Sequence, residues 1–315
     1  MKFTIAIPAY KAKYLDQTIQ SILKQTYKDF ELIIVNDDSP EDLESIVNSY
    51  NYDNRIRYYK NNKNCGAINV VDNWNICLNY ALGDYFICIG DDDMLTCNAL
   101  DEYNKMIIKY PQCETFHSRI KIIDNNNIPI SISNVRSEHE SIFSFMRNRI
   151  EGQIQFIGDF CFKTKTLKNI GGFYKMPLAW GSDDITTYIT ATKHGVVHIN
   201  TPTFFYRSSP LTISNNGRTD IKLTAINQEN KWYKTYINKL IPIQDGDKET
   251  KDIILKKLNT YFIKKRARTI ALDIKKNKLH IFLWLFNRKK YELSITTFLY
   301  SLLELIRIKY QNNKY

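Results

Sequence analysis

The chain has 315 residues, 43% of them hydrophobic and 24% charged, with 44 Lys+Arg against 33 Asp+Glu. That length holds one large domain or two small ones with a sizeable core, and the composition excludes collagen, coiled coil and a disordered polyampholyte. No apolar run approaches the ~18 residues of a membrane span, and Met1-Lys2-Phe3-Thr4-Ile5-Ala6-Ile7-Pro8 is too short and proline-stopped for a secretory signal, so a cytosolic enzyme or binding protein is expected.

Phe3 to Ile7 is a β-branched run stopped by Pro8, and Leu15, Ile19, Ile22 and Leu23 then recur at helical spacing within Tyr14 to Gln25. Phe30 to Val35 reads as a second buried strand, ended by Asn36-Asp37-Asp38-Ser39-Pro40. Glu41 to Tyr50 follows as a helix capped by Ser39 or a neighbouring aspartate. Arg57-Tyr58-Tyr59 is a short third strand, Ile68 to Leu82 a helix closed by Gly83, and Tyr85 to Ile89 a fourth strand running into Gly90-Asp91-Asp92-Asp93. Alternating strands and helices predict an α/β fold with a doubly wound, mostly parallel sheet. A helix over Ala99 to Lys109 precedes two strands, Thr115 to Ile123 and Ile128 to Ile132, around an Asn125-Asn126-Asn127 turn. Gly171-Gly172-Phe173, Trp180-Gly181-Ser182-Asp183-Asp184 and a strand Val196 to Ile199 leading to Tyr206-Arg207 come next, and the pattern is helical from Ile221 onward. Six cysteines without a C-x-x-C pair read as buried free thiols.

Parallel sheets of this kind bind ligands at the carboxyl ends of their strands, where Pro8, Asp37, Asp38 and Asp91 to Asp93 stand. Three aspartates after a buried strand need a compensating cation or donor. Oxygen-only ligation points to Mg²⁺ or Mn²⁺ completed by substrate phosphates, hence to a nucleotide. The other reading makes these acids caps of the helix that follows.

Ile5-Ala6-Ile7-Pro8-Ala9-Tyr10, Ser21 to Tyr27, Phe30 to Ser39 and Gly83 to Asp93 resemble the inverting family 2 glycosyltransferases of GT-A fold. The resemblance is dense over residues 3 to 95 and thins through Arg207. It implies that Pro8 and Asp37, with Asp38 beside them, line the donor nucleotide of a UDP-sugar, that Asp91 faces the ribose, and that Asp92, with Asp91 and Asp93, holds the metal. Gly90 stands where relatives carry an acid, and Trp74-Asn75 stands where they carry an Arg-Asn pair. Inverting transfer needs a base that takes the acceptor's proton. Ser182-Asp183-Asp184 resembles the family's acid motif, with Asp183 at the base position and Asp184 as the alternative; a helix cap is the bland reading of the same residues. Arg207 is a candidate diphosphate contact, since a guanidinium binds phosphate oxygens bidentately, and Trp180 a platform for the acceptor sugar. His194 and His198 are expected to be packed and satisfied rather than ligating.

Residues 221 to 315 hold 21 basic and 8 acidic residues, so the basicity of the whole chain is C-terminal. Lys264, Lys265, Arg266 and Arg268 alternate with apolar residues, and Ile281 to Phe286 is an apolar patch followed by Arg288-Lys289-Lys290. A solvated helix face and an anionic membrane surface fit this equally well, and nucleic acid is not the expected partner. The division expected is a catalytic domain over 1–220, with a nucleotide-sugar half to 95 and an acceptor half from 96, then a basic helical region over 221–315. The function expected is metal-dependent transfer from a nucleotide-sugar to a sugar acceptor, taken to be lipid-linked, in surface-polysaccharide assembly. The alternatives are a sugar-phosphate nucleotidyltransferase, which would carry glycines where Ala9-Tyr10-Lys11 stand, and a non-catalytic module binding membrane or nucleic acid.

Overall fold

The computed structural model describes residues 1–209 and 217–312 and divides into two compact units, Met1–Asn215 and Asn216–Tyr315. In the first, β1 (Phe3–Ala9), β2 (Phe30–Asn36), β3 (Ile56–Lys60) and β4 (Tyr85–Cys88) are all parallel, in the order β3-β2-β1-β4. α1 (Leu15–Leu23), α2 (Leu43–Asn48) and α3 (Val70–Tyr80) are the crossovers that parallel strands need, and near-continuous apolar strands such as Phe30 to Val35 suit a sheet covered on both faces. α2 is capped by Asp42, which accepts the Ser45 N–H. Gly83 sits against the backbone of Phe3 and Thr4, so the turn before β4 admits no side chain.

Beyond β5 (Met94–Leu95) and α4 (Ala99–Lys109), the sheet continues as a mixed half. It contains β6 (Thr115–Ile123), β7 (Pro129–Ile132), β8 (His139–Glu140), β9 (Phe160–Lys163) and β10 (Val196–Arg207). β9 is antiparallel to both β4 and β6 and joins the two halves into one sheet. β6 and β7 form a hairpin over the asparagine turn, where Asn127 takes φ 66°. β10, expected to stop at Ile199, runs on through register shifts near Pro202 to Arg207 beside β6. α5 (Ile142–Ile150), α6 (Thr164–Asn169) and α7 (Ser182–Ala191) complete the unit. One core of Phe3, Ile5, Ile34, Ile87, Phe116 and Phe204 with their neighbours runs beneath β1, β2, β4, β6 and β10.

The second unit is helical: α8 (Thr219–Lys239), α9 (Asp247–Lys276), α10 (His280–Phe286) and α11 (Ile295–Asn312). Leu223, Ile270, Ile274, Trp284, Tyr291 and Leu293 make one small cluster of its core, apart from further buried residues such as Tyr233, Leu258 and Phe262. Some of the basic residues expected on a solvated face lie inside. Arg266 is buried and donates to Asn227 at 2.7 Å, and Lys265 reaches the buried Glu229 at 2.7 and 2.8 Å. All six cysteines are free, but Cys97 is exposed and Cys65 half-buried, which corrects the expectation that all are buried. No described helix is long and apolar enough to cross a membrane.

Candidate active site

The ends of β1, β2 and β4 come together because adjacent parallel strands, ~4.8 Å apart, finish at one edge of the sheet. Pro8 pairs with Val35, and its missing N–H falls on the side of β1 where Ala6 accepts the last bond from β4, that of Ile89, so the ladder loses nothing. Asp91 crosses this edge: one carboxylate oxygen accepts the backbone N–H groups of Tyr10 and Lys11, both at 2.7 Å. Burial and the neighbouring Asp92 charge raise the Asp91 carboxyl to about 6, against the pull of Lys11.

Asp93 turns the other way and accepts the backbone N–H of Arg207 at 2.8 Å. Burial, then the charge of Asp92, pushes its carboxyl well up. Asp92 lies between them, 3.9 Å from the Lys11 ammonium, and burial raises it too. The loop backbone is pinned from below by Thr18, whose hydroxyl donates to the carbonyls of Asp91 and Asp93 at 3.1 and 2.8 Å. None of the three acids caps α4, whose N-cap is Asn98 without a side-chain bond, so the capping alternative for the triplet is not realised. Gly90 lies directly beneath. A Cβ there would stand 3.0 Å from Asp92 Oδ1 and 3.0 Å from Asp93 Oδ2, tighter than side-chain carbons ordinarily approach, so these oxygens converge over the glycine.

All three carboxyls are raised chiefly by burial, and the positive charges of Lys11 and Arg207 offset only part of it. Among the described residues no three His, Cys, Asp or Glu side chains form a metal cage. The donor set therefore fits a hard cation held by one or two carboxylates and completed by phosphate oxygens and water, rather than by protein alone.

Arg207, expected to contact diphosphate, is fully buried. Its guanidinium donates to the Asp92 carbonyl at 2.7 Å, the Asp124 carbonyl at 3.1 Å and Gln17 at 3.1 Å, and it lies 4.1 Å over the Tyr14 ring. In this geometry it braces the acidic loop from behind, which corrects the reading that presents it to a ligand.

On the opposite wall Asp37 is buried and accepts from Asn61 at 2.8 Å and from the Cys65 N–H at 2.9 Å. Asn61 also donates to Asn73, tying β2, the segment after β3 and α3 around one carboxylate. Asp38 takes φ 49°, is exposed, and pairs with Lys60 at 3.5 Å, apart from the Asp37 network. Asn75 holds the glycine loop instead of this wall: it accepts the Phe173 N–H at 2.7 Å and donates to the Phe173 carbonyl at 3.2 Å, while Trp74 packs edge-on against the Phe173 ring. Asn61, Asn73, Tyr10 and Lys11 join this candidate site through their bonds to Asp37 and Asp91 and to each other, and the sequence alone does not single them out. Only the polar character of Asn61 and Asn73 near strand ends could have marked them.

β9 begins level with the end of β4, because Phe162 pairs with Phe86 in antiparallel register. Asp159, one residue before β9, therefore reaches the same edge of the sheet, and the Asp183 charge contributes to raising its buried carboxyl, after burial itself. Asp183 thus lies within electrostatic range of Asp159. Gly181, at φ 94°, takes the N-cap position of α7 with no side-chain bond, so neither Ser182 nor Asp183 is the cap. Ser182 instead accepts the Met176 N–H at 3.2 Å. Asp184 is fully buried and accepts from Arg149 at 2.9 Å and from Gln155, whereas Asp183 and Trp180 are half-buried. Leu178 and Ala179, immediately ahead, take left-handed φ of 59° and 53°, a strained approach of the kind found next to functional sites. His198 is buried, 3.1 Å from His117 and 3.5 Å from Glu140, in the core as expected.

A parallel half-sheet with acid-ended strands, joined through an antiparallel strand to a mixed half, defines a GT-A-type α/β protein. The chain is similar in fold to S. aureus TarS 1-349 solved with UDP-GlcNAc, at TM-score 0.64 and 14% identity over 86% of this chain and 80% of that one. Residues 4–209 match the sequence model of glycosyl transferase family 2, and the chain belongs to that family. Similar curated proteins include an uncharacterized glycosyltransferase of Rickettsia conorii, 30% identical over 47% of this chain and 25% of its own length. The UDP-Glc:alpha-D-GlcNAc-diphosphoundecaprenol beta-1,3-glucosyltransferase WfgD of Escherichia coli is 31% identical over 40% of this chain and 48% of its own length. The minor teichoic acid biosynthesis protein GgaB of Bacillus subtilis is 36% identical over 33% of this chain and 13% of its own length. The chain thus spans less than half the length of each of these three relatives.

Proposed function

We propose that this chain is an inverting glycosyltransferase that moves a sugar from a UDP-sugar to a lipid-linked sugar acceptor in surface-polysaccharide assembly at the cytosolic face of a membrane. The observation that carries it is the convergence of Asp91, Asp92 and Asp93 with the β1 loop, at the strand ends where Asp37 also stands. The names of WfgD and GgaB support the acceptor class, and the TarS complex supports a UDP-sugar donor.

Asp37 and Pro8 form the wall for the nucleotide base, with Asn61 and Asn73 fixing the Asp37 carboxylate, and Asp38 stands at its rim. Asp91 holds the β1 loop closed beneath the ribose, and Arg207 positions the acidic loop from behind. Asp92 and Asp93 would hold Mn²⁺ or Mg²⁺, which when bound offsets the charge of the departing diphosphate. Lys11, beside Asp92, adds a cation on the same side. Asp183 takes the acceptor hydroxyl's proton as its oxygen attacks the anomeric carbon, while Asp184, engaged by Arg149 and Gln155, anchors α7. Trp180, on the same approach, offers a face to the acceptor sugar.

Titrating UDP into the protein calorimetrically with and without Mn²⁺ tests the donor site. Binding that needs Mn²⁺ and disappears in Asp92→Ala supports the reading; the absence of UDP binding under both conditions refutes it.

A further inference from the structure

Two helices of the second unit turn an apolar face outward. Trp284 of α10 is buried with Tyr291 and Leu293, and Phe298 and Leu305 of α11 pack on the same small core, so the inner face of each helix is accounted for. On the outer face of α11, Ile295, Leu299, Leu302, Leu303 and Ile306 are exposed. Their spacing is one helical stripe roughly 16 Å long. On α10 and the turn before it, Leu279, Phe282, Leu283 and Phe286 are exposed as well, Phe286 at 87%. Water leaves such a patch uncovered only at considerable cost, so it marks an interaction surface.

Charge decides what covers it. Residues 275–290 contain six Lys and Arg and no Asp or Glu: Lys275, Lys276 and Lys278 before α10, and Arg288, Lys289 and Lys290 after it, all exposed. The apolar patch on α10 is bracketed by cations on both sides. A second copy of the chain meeting this face symmetrically would set one cationic rim against another. An apolar pocket of a partner protein would leave the rim unmatched. A bilayer carrying anionic headgroups satisfies both features together: acyl chains receive the aromatic and aliphatic side chains, while phosphates receive the lysines and arginines at the depth of the headgroups.

We infer that α10 and the outer stripe of α11 form a membrane-surface dock for anionic phospholipid. The inference stands apart from the sugar-transfer reading, since it can be measured without donor or acceptor. The full chain is floated with vesicles of phosphatidylglycerol and phosphatidylcholine, and with phosphatidylcholine alone, at low and high salt. The comparison is the double variant Phe286→Glu/Leu299→Glu, whose exposed positions leave the core intact. Circular dichroism and UDP titration report whether its fold and donor site are unchanged. The expected result is binding to the anionic vesicles only, weakened by salt and reduced at least about tenfold in the double variant. Failure to bind anionic vesicles at low salt overturns the proposal, as does equal binding by the double variant. A dimer in sedimentation that the double variant converts to monomer also overturns it, by making the surface a self-association site.

Discussion

At the residue scale, two adjacent carboxylates at the start of α7 have different surroundings and therefore different expected roles. Asp184 is buried and accepts from Arg149 and Gln155, so Asp184→Ala strands the buried Gln155 amide and removes the partner of the half-buried Arg149. It should lower stability by about 1 to 3 kcal/mol, read as a shift of the urea midpoint. Asp183→Asn should leave the urea midpoint and UDP affinity close to wild type while lowering the transfer rate roughly 10² to 10⁴-fold. If the Asp184 variant loses transfer with stability intact, and the Asp183 variant does not, the assignment reverses. Asp37 and Asp91 to Asp93 were legible because acids directly after buried apolar strands are rare without a purpose. Lys11 and Asn61 were not: their roles come from bonds to Asp91 and Asp37, 80 and 24 residues away in the chain. Arg207 shows the converse, since its residue type invites a phosphate but tertiary packing turns its donors onto backbone carbonyls.

At the scale of elements, the loop from Gly171 to Gly181 links α3 to α7. Gly172 has φ 89°, and a Cβ there would come within 2.3 Å of Asn75 Oδ1, the oxygen that receives the Phe173 N–H. Gly172→Ala should therefore cost about 2 to 3 kcal/mol through backbone strain and displacement of Asn75, read by urea melts. A loss under ~0.5 kcal/mol, the size of an ordinary surface substitution, would mean that Asn75 does not hold this loop. The helices and the four parallel strands of the first half could be read in advance because apolar periodicity and turn residues agree there. β9 could not, since Phe160 to Lys163 is four residues long and becomes a strand only by fitting between β4 and β6. β10 was read short for a related reason: Pro202 interrupts its pattern, and register shifts beside β6 absorb the interruption.

At the scale of the whole molecule, the core of the first unit carries buried histidines whose titration sets its acid sensitivity. Burial holds His198 down at about 4 from its ordinary 6.5, against the pull of Glu140, and holds His117 well down too. Glu140 stays ionised beside Arg136, 2.8 Å away. Between these pH values the two histidines bind more protons in the unfolded chain, whereas Asp91, raised to about 6, binds more in the folded one. The histidines' share of stability, present above pH 6.5, is therefore lost as pH falls through 4, and His198 alone contributes roughly 3 kcal/mol of that loss. The raised carboxyls of Asp91, Asp93 and Asp159 work in the opposite sense, so the test is the difference: in urea melts between pH 7 and 4, His198→Asn should lose less stability on acidification than wild type. An unchanged slope in that variant would place the acid sensitivity elsewhere.

The sequence by itself determined the α/β class, the run of parallel strands and the acids at their ends. It also placed the excess of basic charge in the C-terminal region. Those features are local: apolar periodicity selects strand or helix, and polar residues interrupt a strand where it leaves the core. Tertiary structure alone decided which acids converge over Gly90, that Arg207 braces rather than faces outward, and which of Asp183 and Asp184 is buried. It also decided which lysines and arginines enter the helical core and which surround the outer face of α10. Each of these depends on contacts between residues far apart in the chain, and such contacts come into being only when the sheet and helices pack.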